Sequence, residues 1–197
     1  MNTLFPIYVK LDQINTLLIG GGAVGLEKLQ AMLNNSPKAN IKIVAREVSD
    51  AIVALVDTNS RLSLEVRSFV ESDLTGIDLL IMATNNPEFN EEVQQLAKER
   101  HILMNVADKP ALCDFYLGSV VQKGNLKIGI STNGKSPTIA KRLKEFLNDL
   151  LPEEIDETLN LMADYRNDLK GDFQQKISTL NAHTELLVKG GIHDRAN

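Results

Sequence analysis

The chain has 197 residues, 43% hydrophobic and 24% charged, which is enough apolar material for a packed domain with an appended piece and excludes disordered, collagenous and coiled-coil polypeptides. Its 21 Lys+Arg against 26 Asp+Glu give a net charge of -5, which argues against general nucleic-acid binding. Met1 to Gly20 holds Lys10 and Asp12 and no apolar run longer than Leu17-Leu18-Ile19, so neither a signal peptide nor a membrane span is expected there. The single cysteine, Cys113, fits a reducing cytoplasm and is expected to be a small buried side chain.

Through the first hundred residues two periods alternate. Short aliphatic or β-branched runs at Thr16 to Ile19, Ile41 to Ala45, Leu62 to Val66, Leu79 to Ala83 and Ile102 to Val106 predict strands, because continuous apolar stretches suit a sheet covered on both faces. Helical spacing lies between them at Ala23 to Leu33, Ser49 to Val56 and Pro87 to Arg100. The last has a clear start, with Asn86 as cap, Pro87 at the first position and Glu88 at the positive end of the dipole. Alternation of strand and helix through Asp108 predicts a doubly wound parallel α/β sheet.

After Pro110 the pattern changes. Phe115 to Gln122 and Leu126 to Ser131 flank Lys123-Gly124-Asn125 and predict a hairpin. A helix from Pro137 to Leu151 follows, capped by Ser136, with Ile139, Leu143, Phe146, Leu147 and Leu150 on its apolar face. Ile155, Leu159, Met162, Leu169, Phe173, Ile177 and Leu180 then recur at helical spacing, with a break at Gly171, and the end from Gly190 to Asn197 is expected to fray.

The strongest local motif is Gly20-Gly21-Gly22-Ala23-Val24-Gly25 between a strand and a helix. Gly20 suits a tight turn, Gly22 a close backbone approach to a pyrophosphate, and Gly25 the packing of helix on strand, while the helix N-terminus holds the phosphates. About 20 positions on, where an acidic residue binds the adenosine ribose, the chain reads Ala45-Arg46-Glu47. Glu47 can supply the carboxylate for NAD, whereas Arg46 can stack on adenine or accept the additional phosphate of NADP. Thr84 and Asn85 follow the fourth strand and Asp108 the fifth, so all three reach the carboxyl edge where open sheets bind ligands. A carboxylate there can move a proton beside a hydride transfer. His101, at the start of a strand, and His183 and His193, in the tail, form no catalytic or metal-ligand constellation, and no metal site is expected.

Charge is unevenly spread. Lys123 to Lys144 holds six basic residues and no acidic one, whereas Glu145 to Asp172 holds nine acidic residues against Arg166 and Lys170. A solvated face is the plain reading of the cationic stretch.

Taken in order, Phe5-Pro6-Ile7-Tyr8-Val9, the glycine turn with Lys28, Ala83-Thr84-Asn85, Asn105-Val106-Ala107-Asp108 and Ser131-Thr132-Asn133-Gly134-Lys135-Ser136-Pro137 resemble the precorrin-2 dehydrogenase family, the first module of siroheme synthase. The resemblance runs from Leu4 to Leu151 and more loosely through the tail. It implies a Rossmann domain over residues 1–112, a dimerisation segment over 113–151 and a helical domain over 152–197, assembled as a homodimer. It also implies oxidation of precorrin-2 to sirohydrochlorin with NAD+ and, in bifunctional members, insertion of ferrous iron to give siroheme. Ala23, Val24, Arg46 and Glu47 match the family's cofactor contacts, and Asp108 matches its catalytic aspartate. Thr132 stands where some members carry a serine, so regulation through that serine is not carried over.

Precorrin-2 carries many carboxylates, which gives the cationic stretch a purpose as an anion-binding wall. Lys135, Lys141 and Arg142, with Ser131, Thr132 and Asn133 of the preceding loop, become the substrate-binding candidates. No methyltransferase module follows the tail, so separate proteins are expected to exchange tetrapyrroles with this one. A non-catalytic nucleotide-sensing module is the alternative. It accounts for the glycines but gives no reason for Asp108 or the cationic segment.

Overall fold

A computed structural model of the chain describes residues 2–169 together with 175, 178 and 179. The tail positions Phe173, Ile177 and Leu180, the break at Gly171, the fraying end, His183 and His193 lie outside the described residues. Two compact units divide the chain, one of residues up to 120 with 129–144, the other of residues 121–128 with those from 145 on.

In the first unit, β1 (Asn15–Gly21), α1 (Ala23–Asn35), β2 (Asn40–Val48), α2 (Asp50–Thr58), β3 (Leu62–Val66), β4 (Leu79–Met82), α3 (Pro87–Glu99) and β5 (Leu103–Val106) follow one another. The strands form one parallel sheet in the order β3-β2-β1-β4-β5. This is the expected doubly wound arrangement, and its strand order reverses between β1 and β4, where such sheets bind ligands. Continuous apolar strands make sense here because both faces are covered. Leu18, Ile43 and Ile81 pack with Leu29, Met32 and Ile52 in one core, while Leu17, Val44, Leu80 and Met82 pack with Leu74, Val93 and Ala97 in the other.

No long helix covers the crossover from β3 to β4; a single tight turn, Glu71–Leu74, stands in its place. Ionic groups hold that crossover down. Asp73, 5% exposed, takes both guanidinium nitrogens of Arg67 in a fork at 2.7 and 2.6 Å and the Lys42 ammonium at 2.9 Å. Glu65 accepts from Lys42 at 2.9 Å and from Arg67, and the Val70 N–H donates to Asp73 at 3.0 Å. The Arg67 fork above all holds the Asp73 carboxyl well below the usual carboxylate range.

Beyond β5, β6 (Ser119–Lys123) and β7 (Leu126–Ile130) pair as the expected hairpin. Its first arm begins at Ser119 instead of the expected Phe115, because residues 113–115 run back beside β5. The Asp114 N–H donates to the Met104 carbonyl at 2.8 Å, and the Asn105 side chain donates to the Phe115 carbonyl at 2.8 Å. His101 likewise precedes its strand, in a left-handed turn at φ 56°. Then α4 (Pro137–Leu150) starts on Ser136, whose Oγ accepts the Ile139 N–H at 3.2 Å. Ile139, Leu143, Phe146 and Leu150 on its apolar face are all exposed.

In the second unit the hairpin tip is held by α5 (Ile155–Asp168): Asp156 accepts from the Asn125 N–H at 2.6 Å and from its side-chain amide at 2.9 Å. Among the described residues no helix is long and apolar enough to cross a membrane.

Candidate active site

The glycine turn joins β1 to α1. Gly20 has φ 118°, and a Cβ there would lie 2.3 Å from the Ala83 carbonyl oxygen; one on Gly25 would lie 2.2 Å from the oxygen of Gly20. Those two glycines let strand, turn and helix touch. Gly22 differs. A Cβ on it would meet nothing within 4 Å, so the space above the turn is open. Behind it the first-turn N–H groups of α1 have no acidic side chain competing for them. Open space at the middle glycine in front of a helix N-terminus fits a dinucleotide pyrophosphate.

Gly21 was not singled out by sequence reasoning, although its own lack of a side chain matters equally. A Cβ there would lie 2.4 Å from the Glu47 carbonyl oxygen, and the Ser49 N–H donates to the Gly21 carbonyl at 2.9 Å. The glycine turn and the end of β2 are therefore packed backbone on backbone, which sets the exposed Arg46 and Glu47 beside it. The motif pattern leaves position two unspecified, so the sequence held no signal for this contact.

At the sheet reversal, Val24 from the first turn of α1 joins Ala83, Thr84, Asn85, Asn90 and Asp108 from beyond β4 and β5 in lining one cleft of about 200 Å³. Thus Val24, Thr84, Asn85 and Asp108, four of the residues expected from sequence, come together. Arg46, Glu47 and the residues of the cationic segment do not line this cleft. Asn90 was missed. It is 1% exposed on the core-facing side of α3, in step with Val93 and Ala97. Its Oδ1 accepts the Thr84 hydroxyl and its Nδ2 donates to the Thr84 carbonyl at 3.3 Å. An amide on an apolar helix stripe is the signal that could have found it.

Asp108 sits at the tip of the loop after β5 in a left-handed conformation, φ 58°, that Asp and Asn tolerate and most residues do not. Cys113 closes the base of that loop. Its sulfur accepts the Val106 N–H at 3.2 Å and lies 3.2 and 3.3 Å from the Val106 and Lys109 carbonyls, to which its S–H can donate. Half-buried rather than fully so, the thiol is pushed up in pKa by burial.

In the loop before α4, Thr132 Oγ1 accepts the Ser136 N–H at 3.2 Å and lies 3.2 Å from its carbonyl, Ser131 Oγ accepts from Asn133, and Asn133 and Gly134 have positive φ. The hydroxyls of Ser131 and Thr132 thus shape their own loop, with Lys135, Lys141 and Arg142 in this segment, all exposed. Among the described residues no cluster of three or more His, Cys, Asp or Glu forms a metal site.

Residues 7–119 match the family model described as "Putative NAD(P)-binding", and residues 123–150 match the one described as "Sirohaem biosynthesis protein central". The siroheme synthase of Vesicomyosocius okutanii is 32% identical over 175 residues, 89% of this chain and 37% of that protein; the one from Psychrobacter cryohalolentis is 34% identical over 185 residues, 94% of this chain and 34% of that protein. The chain therefore spans about a third of the length of these curated relatives. Among solved structures, the precorrin-2 dehydrogenase SirC shares the fold with a TM-score of 0.74 at 23% identity, over 97% of this chain and 93% of that one. Because the NAD(P)-binding model matches more than half of the chain and the sirohaem central model follows next in order, the chain belongs to the NAD(P)-binding family that carries the sirohaem-biosynthesis central segment.

Proposed function

We propose that this protein oxidises precorrin-2 to sirohydrochlorin, with NAD+ as the oxidant. The observation that carries this reading is one cleft at the sheet reversal, bounded by Val24 from the glycine turn and by Asp108 from the loop after β5. Cofactor and proton carrier would thus serve a single substrate. The relatives named siroheme synthase and the solved precorrin-2 dehydrogenase support the choice of substrate.

In this reading Gly20, Gly22, Ala23, Val24 and Gly25 seat the pyrophosphate, Arg46 and Glu47 meet the adenosine end, and Thr84 and Asn85 meet the nicotinamide end. NAD+, when bound there, accepts a hydride. Each dehydrogenation removes one hydride and one proton from the macrocycle, and Asp108 takes the proton. Its left-handed backbone and the closed loop base hold the carboxylate in place, so orientation supplies much of the acceleration. Lys135, Lys141 and Arg142 hold the substrate's carboxylates, beside the loop of Ser131, Thr132 and Asn133 that presents Lys135. Residues 1–112 act as the NAD-binding domain and 113–151 as the dimerisation segment, and α5 opens the remaining C-terminal part. The exposed apolar face of α4 supports assembly as a homodimer, and the lone cysteine supports a cytoplasmic location.

Incubation with precorrin-2 and NAD+ should produce the absorption of sirohydrochlorin together with NADH, faster than with NADP+. Nucleotide binding without turnover would instead support the sensing alternative. Repeating the assay with ferrous iron reads iron insertion, for which Asp108 is again the candidate proton acceptor.

A further inference from the structure

Asn90 occupies a position on α3 that faces the core together with Val93 and Ala97, where an apolar side chain would be the ordinary choice. Helix formation does not require it there, because Asn86 already caps α3 by accepting the Phe89 N–H at 3.2 Å. Both functions of its amide are directed at one residue, Thr84, through the hydroxyl and the carbonyl. Thr84 in turn follows Ala83, whose carbonyl oxygen is the atom that a Cβ on Gly20 would strike at 2.3 Å. The turn from β4 into α3 is therefore fixed on one side by the glycine turn and on the other by Asn90. Exposed Asn85 stands next to this clamped residue, on the wall of the cleft.

We infer that Asn90 is a positioning residue for the nicotinamide end of the cofactor, acting through the Thr84–Asn85 turn that it clamps. The nicotinamide ring carries a carboxamide, which offers one carbonyl acceptor and two N–H donors; the peptide groups of the turn and the Asn85 amide offer the complementary set. Hydrogen bonds of this kind select a ligand only when the groups making them are already held in place, and Asn90 supplies that hold from a dry position. The adenosine end, met in the dinucleotide reading by Arg46 and Glu47 of β2, would not depend on this clamp. The inference rests on the dinucleotide reading of the site.

The test uses the full chain and two probes, NAD+ and ADP-ribose, the latter lacking only the nicotinamide. Dissociation constants are measured by titration calorimetry for the wild type, Asn90→Leu and Thr84→Val. Asn90→Leu should weaken NAD+ binding about tenfold and ADP-ribose binding less than about twofold, the scale of one or two lost hydrogen bonds. Thr84→Val removes one partner without placing a new side chain in the core, so it keeps the test alive if Asn90→Leu fails to fold; it should weaken NAD+ alone by about threefold. Equal weakening of both probes, or of neither, would overturn the inference while leaving the dinucleotide site in place. A wild-type chain that binds neither probe would instead overturn the dinucleotide reading, and the inference with it.

Discussion

Gly22→Ala separates a glycine needed by the fold from one needed by a ligand. Gly22 stands at φ -82°, where alanine meets no backbone strain, and the added methyl would find nothing within 4 Å. Two folding effects oppose each other. Alanine restricts the unfolded chain, which stabilises by about 0.4–1 kcal/mol, but it is a poorer helix cap than glycine by a similar amount. Net stability should change by less than about 1 kcal/mol, and Tm by less than about 4 °C for a chain of this size. The cofactor meets a different situation, because the methyl occupies the space through which its phosphates reach the first N–H groups of α1. Losing one charge-assisted hydrogen bond, worth about 1.5–3 kcal/mol, weakens NAD+ binding by about 10- to 150-fold. Thermal melts and titration calorimetry of the same preparation read the two effects. Gly25→Ala is the contrasting control, since its Cβ would lie 2.2 Å from the Gly20 oxygen and α1 would have to lift from the sheet. Wild-type NAD+ affinity in a folded Gly22→Ala variant would refute the reasoning and leave the turn a purely structural one.

Asp108→Asn keeps a residue that tolerates φ 58° and should leave the melting temperature and NAD+ affinity intact while lowering turnover by ~10²-fold or more, whereas Asp108→Ala should add backbone strain to the same catalytic loss. Turnover near wild type in Asp108→Asn would remove this carboxylate from the mechanism. Asp73→Asn should cost about 2 kcal/mol near neutral pH by weakening its charged hydrogen bonds to Arg67 and Lys42. The native carboxyl is held below its ordinary value of about 3.9, so its stabilisation is complete above about pH 5 and is lost progressively as pH falls from there; melting temperature against pH should show a shallower acid limb in the variant. Replacing Lys135, Lys141 and Arg142 together with glutamine should raise the KM for precorrin-2 about tenfold, at roughly 0.5 kcal/mol for each exposed contact, flatten its dependence on ionic strength and leave NAD+ binding unchanged. An unaltered KM and salt slope would return the segment to a solvated surface.

The parallel sheet was readable because its strands are apolar on both faces and its helices are not. Leu17 and Leu18 face opposite cores, and only a doubly covered sheet asks for that. Pro87 and Asn86 announced α3 through backbone chemistry that is local, as Ser136 and Pro137 announced α4. What stayed hidden was long-range. Phe115 looked like the start of a strand because nothing nearby reveals that Asn105 holds its carbonyl. The ionic group under the β3–β4 crossover joins Lys42 to Asp73, 31 positions apart, and no period connects them. In the site, the glycines, Thr84 and Asn85 could be placed from strand ends alone, whereas Asn90 gains its meaning only when α3 turns it toward Thr84.

Because Cys113 is the chain's one cysteine, alkylation has a single address. Its sulfur is held among the Val106 and Lys109 backbone groups and partial burial favours the thiol over the reactive thiolate, so a maleimide reacts slowly while the loop is closed and faster when it opens. The labelling rate is then a clock for the segment that carries Asp108, ticking without any engineered probe. A ligand that settles against that segment would slow it, and the degree of slowing would report how firmly the carboxylate is held in each state of occupancy.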